Sequence, residues 1–210
     1  MLRQSTCAAG LLGSAVLLAL SAAALPAGDA ADAPMQHQYD SALGGANARI
    51  VQTNYTIPPL QLVRASGQRV SLDKEVNDGR PVLLNFIFTT CETTCPLSSA
   101  TFARFQKELG AERAKVHMMS ISIDPEQDTP ARLRDYANKF GAGPEWQFYT
   151  GTLQASVAAQ QSFGVYYGDK MSHTPVTLLR PAPGKPWTRI DGFVTPEQLV
   201  QKYHALLSEP

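Results

Sequence analysis

Two rhythms of apolar residues organise this chain. Unbroken apolar runs at PVLLNFIF (81–88) and VHMMSISID (116–124) read as strands covered on both faces. Met118 and Met119 alternate across the second of these, so at most one of them is expected to face the core. Between the runs, apolar residues recur at helical spacing. In 96–109 they are Leu97, Phe102, Phe105 and Leu109, with Gly110 as the stop. DTPARLRDYANKFG (128–141) opens with Thr129 as cap and Pro130 at the first helical position, and Gly141 closes it. WQFYTG (146–151) predicts a short strand and TLQASVAAQQSFG (152–164) a helix. PVTLLR (175–180) and WTRIDGF (187–193) predict two strands joined by the turn PAPGKP (181–186). TPEQLVQKYHALL (195–207) predicts a terminal helix, with Thr195 and Gln198 at capping-box spacing. Upstream, PLQLVRASGQRVSL (59–72) predicts two short strands around a Ser66-Gly67 turn.

The predicted order is a β-hairpin, then βαβαβα, then ββα. It implies an α/β domain with a mixed central sheet flanked by helices. An N-terminal β-hairpin on such a sheet fits a thioredoxin-like fold. The domain is expected over 51–210. Residues 29–50, rich in Ala, Gly and Asp, read as a flexible linker. Residues 1–28 read as a signal peptide or an N-terminal membrane anchor: Arg3, the apolar run LLGSAVLLAL (11–20), then small residues. Cys7 precedes the apolar run, which is the wrong side for lipid attachment. Either reading exports the domain, and the short leader points to a bacterial periplasm.

Composition narrows the picture only a little. Lys+Arg and Asp+Glu both number 18 among 210 residues, for a formal net charge of +0. No basic excess points to nucleic acid, and any membrane contact is expected through the N-terminal segment alone. Partners must be chosen by a local site.

That site is signalled by FIFTTCETTCPL (86–97). Cys91 and Cys95 fall where the first core strand ends and its helix begins. A thiol at a helix N-terminus meets free N–H groups and the positive end of the macrodipole, which favour thiolate. Thiolate is both the nucleophile of disulfide exchange and a ligand for soft metals. Four apart on one helical turn, both sulfurs can face one way and close a disulfide or clasp an ion. Once a leader is removed, they are the only thiols. Glu92 is expected to be solvated, and Thr89, Thr90, Thr93 and Thr94 to serve the turn and cap or to bond to sulfur. His173, in MSHTPVTLL just before a predicted strand, lies on the loop expected beside the cysteine turn. Two thiolates and one imidazole would suit Cu(I) and could take Zn(II). Of the other histidines, His37 lies in the linker, His117 reads as structural, and His204 as a surface residue of the last helix.

Three stretches together, FIFTTCETTCP (86–96), SISIDPEQDTPARLRDY (120–136) and SHTPVTLLRP (172–181), resemble the Sco/SenC family of exported copper-binding proteins. The resemblance covers roughly 51–207. It implies a thioredoxin-like fold and one copper ion, as Cu(I) or Cu(II), held by Cys91, Cys95 and His173, with Asp124 near the site. It implies a metallochaperone that assists assembly of the binuclear copper centre of cytochrome c oxidase. The implied acceptor is its subunit II, with an upstream copper donor or thiol reductant as further partner. The sequence departs from the family at Glu92, where Pro is common, and at Ser172, where an acid is common. Pro175 follows the distal histidine as in thiol oxidoreductases of this fold, whose Thr-Pro bond is commonly cis.

A second reading therefore stays open. In a thiol-disulfide oxidoreductase, Cys91 would attack and Cys95 would resolve, with a Cys91–Cys95 disulfide in the oxidised form. A peroxidase of this fold would need Thr three residues before the reactive cysteine, where Phe88 stands. A purely structural disulfide would close too small a loop to stabilise much.

Overall fold

The computed structural model describes residues 48–208. The expectations for 1–47, including the leader and His37, lie outside the described residues. An eight-stranded mixed sheet forms the centre, in the order β1-β8-β7-β4-β5-β6-β2-β3. The strands are β1 (Arg49–Thr53), β2 (Gln61–Arg64), β3 (Arg69–Ser71), β4 (Val82–Ile87), β5 (His117–Ser122), β6 (Trp146–Gly151), β7 (Val176–Arg180) and β8 (Trp187–Asp191). The helices are α1 (Leu72–Glu75), α2 (Thr94–Leu109), α3 (Pro130–Lys139), α4 (Leu153–Ser162) and α5 (Pro196–Ser208), with a 3-10 segment over Gly110–Lys115. β4, β5 and β6 run parallel, and the other pairings are antiparallel.

The apolar runs behave as their composition requires. All six residues of β4 and all six of β5 are buried. Met118 and Met119 are both fully buried, against the expectation that at most one would be. Layers on both faces of the sheet leave no solvent side for the second methionine. Burying each such side chain contributes roughly 1.5–3 kcal/mol. One polar rung crosses this apolar centre: Trp146 Nε1–H donates to Ser120 Oγ at 2.9 Å, and Ser120 donates to Asn85 Oδ1 at 2.7 Å.

The hairpin of 59–72 forms, with β2 also pairing β6. The capping signals hold. Thr129 Oγ1 accepts from Arg132 N–H at 3.3 Å. Thr195 Oγ1 accepts from Gln198 N–H at 3.2 Å, while Gln198 Oε1 accepts from Thr195 N–H at 3.1 Å. Several elements differ from the pattern, and α1 (Leu72–Glu75) and the 3-10 segment Gly110–Lys115 have no counterpart in it. β1 pairs with β8 and begins at Arg49, inside the stretch read as linker. Its RIVQT is a half-exposed edge strand and lacks a long apolar signature. α2 begins at Thr94, before the expected Pro96, which brings Cys95 into its first turn.

The topology decides where the site lies. β7 pairs antiparallel with β4, with Thr177 opposite Asn85. The start of β7, and so the loop that carries His173, therefore lies beside the end of β4, which leads into the cysteines.

Candidate metal and thiol site

Both cysteines are free thiols. Cys95, inside α2, is buried at 3% exposure, and Cys91, in the preceding turn, is partly exposed. Thr93 stands at the N-cap of α2 but its side chain makes no capping bond. The Cys91 sulfur fills that role: it accepts from Cys95 N–H at 3.4 Å, and Thr94 Oγ1 lies 3.5 Å away and Thr93 Oγ1 4.0 Å. Cys91 N–H donates to the Phe88 carbonyl at 3.1 Å, closing the turn. The chemistry of the pair is split. The Cys95 thiol, Thr94 and the backbone amides favour thiolate on Cys91 and bring its pKa down to about 4, against the opposing effect of burial. The thiolate neighbour and burial push the Cys95 thiol up. One sulfur is a ready nucleophile or ligand at neutral pH, and the other keeps its proton.

The turn is held from below by Asp128. This residue is fully buried and accepts from Thr89 N–H at 3.2 Å and from Thr89 Oγ1–H at 2.5 Å. Its other oxygen accepts from Ser122 Oγ–H at 2.6 Å. Thr89 thus serves Asp128 and not the helix cap. Sequence reasoning missed Asp128 as a site residue. Its signal is the second aspartate of SIDPEQDTP, which falls at the mouth of α3 where β5 turns back toward the cysteines.

His173 is 8% exposed, not a surface loop residue. Neither ring nitrogen has a hydrogen-bond partner. Burial lowers its pKa; the Phe86 carbonyl, close but outside hydrogen-bond geometry, and the Cys91 charge act in the opposite direction. Tyr167 packs edge-on against it, with ring centroids 6.2 Å apart. An open cavity of about 360 Å³ lies beside it, lined in part by Asp124, Glu126, Tyr166, Tyr167 and Lys170. Asp124 is buried and its Oδ2 accepts from Lys170 Nζ at 2.6 Å. Pro175 acts through its backbone: the carbonyl accepts from Gly192 N–H at 2.9 Å beside the β7–β8 pair. Every described peptide bond is trans, that between Thr174 and Pro175 included.

The structure thus brings Cys91 and Cys95 together and sets His173 near enough to sense the Cys91 charge. Among the described residues, no three His, Cys, Asp or Glu side chains stand close enough to hold one ion without movement. The donor chemistry nevertheless fits a soft cargo ion: an acidic thiol, a second sulfur beside it, and a buried imidazole with both nitrogens free. The other two described histidines are engaged elsewhere. His117 sits at the other end of the sheet, and His204 lies exposed on α5, 3.4 Å from Glu112.

A family model described as SCO1/SenC matches residues 48–208. The chain belongs to the SCO1/SenC family. The SCO1 protein homolog of Bacillus subtilis is 38% identical over 105 residues, which cover 50% of this chain and 53% of that protein. The chain spans about half the length of the first curated relatives it matches. Among solved structures, Bradyrhizobium japonicum ScoI with copper bound aligns with a TM-score of 0.61 at 28% identity, covering 72% of this chain and 99% of that one. BsSco, a Sco-family cytochrome c oxidase assembly protein in which a disulfide switch was identified, aligns with a TM-score of 0.63 at 28% identity, covering 76% and 98%. The mixed sheet flanked by helices is thus the thioredoxin-like fold of the Sco proteins.

Proposed function

We propose that this chain is an exported copper-binding metallochaperone that assists assembly of the binuclear copper site of cytochrome c oxidase. Copper is its cargo, one ion held by Cys91, Cys95 and His173, with Asp124 beside the site. The observation that carries this reading is His173: a buried imidazole with two unpartnered nitrogens, beside a thiolate at a helix mouth. Leaving buried polar atoms unpaired costs about 1–3 kcal/mol each, so the arrangement makes sense if a ligand compensates it. Copper bound to relatives of this fold supports the choice of ion. In this reading residues 1–28 export or anchor the protein at the periplasmic side, the segment that follows up to β1 tethers it, and the domain that opens with β1 at Arg49 carries the site. The acceptor is a copper protein such as cytochrome c oxidase subunit II, and a donor or a thiol reductant acts upstream.

The test is an anaerobic Cu(I) titration of the reduced protein against a chromogenic chelator, beside its His173→Ala variant. Tight one-to-one binding that weakens sharply in the variant is expected. Wild-type affinity in His173→Ala would falsify the three-ligand site.

A second reading has its own observation. The acidic Cys91 and the buried, protonated Cys95 are the attacking and resolving partners of a thiol-disulfide oxidoreductase. Such a protein would reduce the cysteines of a copper acceptor. Weak copper binding, equal with and without His173, would favour it.

A further inference from the structure

His173 is delivered by the connection between α4 and β7, whose one regular piece is the 3-10 turn Lys170–Ser172. Several bonds there are internal. Asp169 Oδ1 accepts from Met171 N–H at 3.0 Å, and the Lys170 carbonyl accepts from His173 N–H at 3.2 Å. The Tyr167 and Thr174 hydroxyls meet at 3.1 Å. Such bonds shape the loop without fastening it to the rest of the molecule.

Lys170 does fasten it. Its Nζ donates to Asp124 Oδ2 at 2.6 Å and stands 5.7 Å from the centroid of the Phe88 ring. Both anchors are buried, Phe88 at 3% exposure and Asp124 at 8%. Both belong to the framework of the cysteine turn. The Phe88 carbonyl accepts from Cys91 N–H. Asp124 N–H donates to Ser122 Oγ at 3.0 Å, and Ser122 donates in turn to the Asp128 carboxylate that holds Thr89. One ammonium, three residues before His173, thus links the histidine loop to both arms that shape the thiol site.

An ion pair with a 39% exposed lysine adds little stability by itself. Its effect is geometric. A loop that must supply a ligand pays an ordering cost on binding, and pinning it beforehand removes part of that cost. The carboxylate fixes the end of the side chain, and the ring face adds a second, cation–π hold.

We propose that Lys170 is a positioning residue for His173. Pinned to Asp124 and to the Phe88 ring, it keeps the histidine loop within reach of the cysteines, so that the imidazole can close on an ion already held by sulfur. This inference rests on the copper reading given above.

The test uses Cu(I) as the probe and the full reduced chain. Lys170→Met keeps the aliphatic stem but loses both anchors, and it should lower Cu(I) affinity about fivefold. Lys170→Arg can pair with the carboxylate and stack on the ring, and it should keep most of the affinity. In a His173→Ala background Lys170→Met should change nothing further, because its effect passes through the imidazole. In the copper-free protein, amide exchange over 166–173 should quicken in Lys170→Met while β5 stays protected. Unchanged exchange in that segment overturns the proposal. So does an equal loss of affinity with and without His173, which would mean a general effect on stability. If Lys170→Met binds as the wild type does while His173→Ala does not, the positioning role falls and the copper site stands. If His173→Ala itself binds as the wild type does, both fall.

Discussion

Two of the described histidines are buried, at opposite ends of the central strands, and they are buried in opposite ways. His117 opens β5 at 1% exposure. Its Nε2 meets Tyr149 Oη at 2.9 Å, and its Nδ1 lies 2.8 Å from Asp78 Oδ2, off the ideal hydrogen-bond line. Tyr149 donates to Glu75 Oε2 at 2.6 Å, and Arg64 forks onto the same carboxylate at 2.7 and 2.8 Å. Burial keeps His117 neutral, its pKa lowered. His173 is buried among fewer partners and offers both nitrogens. The difference separates scaffold from site. A histidine whose nitrogens already face oxygens has nothing left to give a metal, whereas one left unpaired destabilises the fold slightly and is free to bind.

The strongest way to test the contrast is at the acidic thiol of the cysteine turn. Cys91→Ser should weaken Cu(I) binding by more than the roughly 10–100-fold that changes outside the ligand set cost. Chelator competition measures it. The variant should fold normally, since Cys91 is partly exposed. His117→Leu should show the reverse: about 3 kcal/mol of stability lost in urea unfolding, because the buried Tyr149 hydroxyl loses its imidazole partner, with copper affinity unchanged. His173→Ala should reduce copper affinity about tenfold, as the proposed three-ligand site requires, while removing two unpaired buried nitrogens keeps stability within about 1 kcal/mol. If His117→Leu impaired copper binding as much as His173→Ala, the separation of scaffold from site would be wrong.

The smallest effect is a matter of pH. A thiol titrating near 4 is thiolate throughout the neutral range. Alkylation of reduced protein at Cys91 should therefore be flat between about pH 6 and 8 and fall only as pH drops toward the lowered pKa. An ordinary thiol would react about tenfold faster per unit over that same range. Cys95, its pKa raised, should stay unmodified in mass spectra. A steep rise in Cys91 reactivity across neutral pH would remove the split between the two sulfurs. His173, its pKa lowered by burial, should take up its proton only at a lower pH than an ordinary imidazole.

Much of this is legible in the sequence. The apolar runs of β4 and β5, the Thr129 and Thr195 caps and the position of Cys91 and Cys95 at a strand-to-helix join all follow from local chemistry. What is not legible depends on contacts distant in sequence. RIVQT becomes a strand because β8 offers it an edge. Met118 and Met119 are both buried because layers arrive from elsewhere in the chain. Asp128 grips Thr89 across 39 positions and Lys170 grips Asp124 across 46, and no spacing rule reports such pairs. The burial of His173 belongs to the same class, since it follows from the antiparallel seating of β7 against β4.

The polar rung Asn85–Ser120–Trp146 has a consequence for how the chain finds its alignment. Strands that alternate apolar and polar residues announce their proper pairing, because a slip turns the wrong side chains inward. β4 and β5 are buried throughout and give no such warning. A shift between them would leave apolar side chains among apolar side chains, but it would strand an amide, a hydroxyl and an indole N–H in the interior. The three residues therefore act as a key that admits one alignment. Thr89 meets Asp128 only in that alignment, so the correct assembly of the thiol turn is checked in the middle of the sheet, by residues that never touch it.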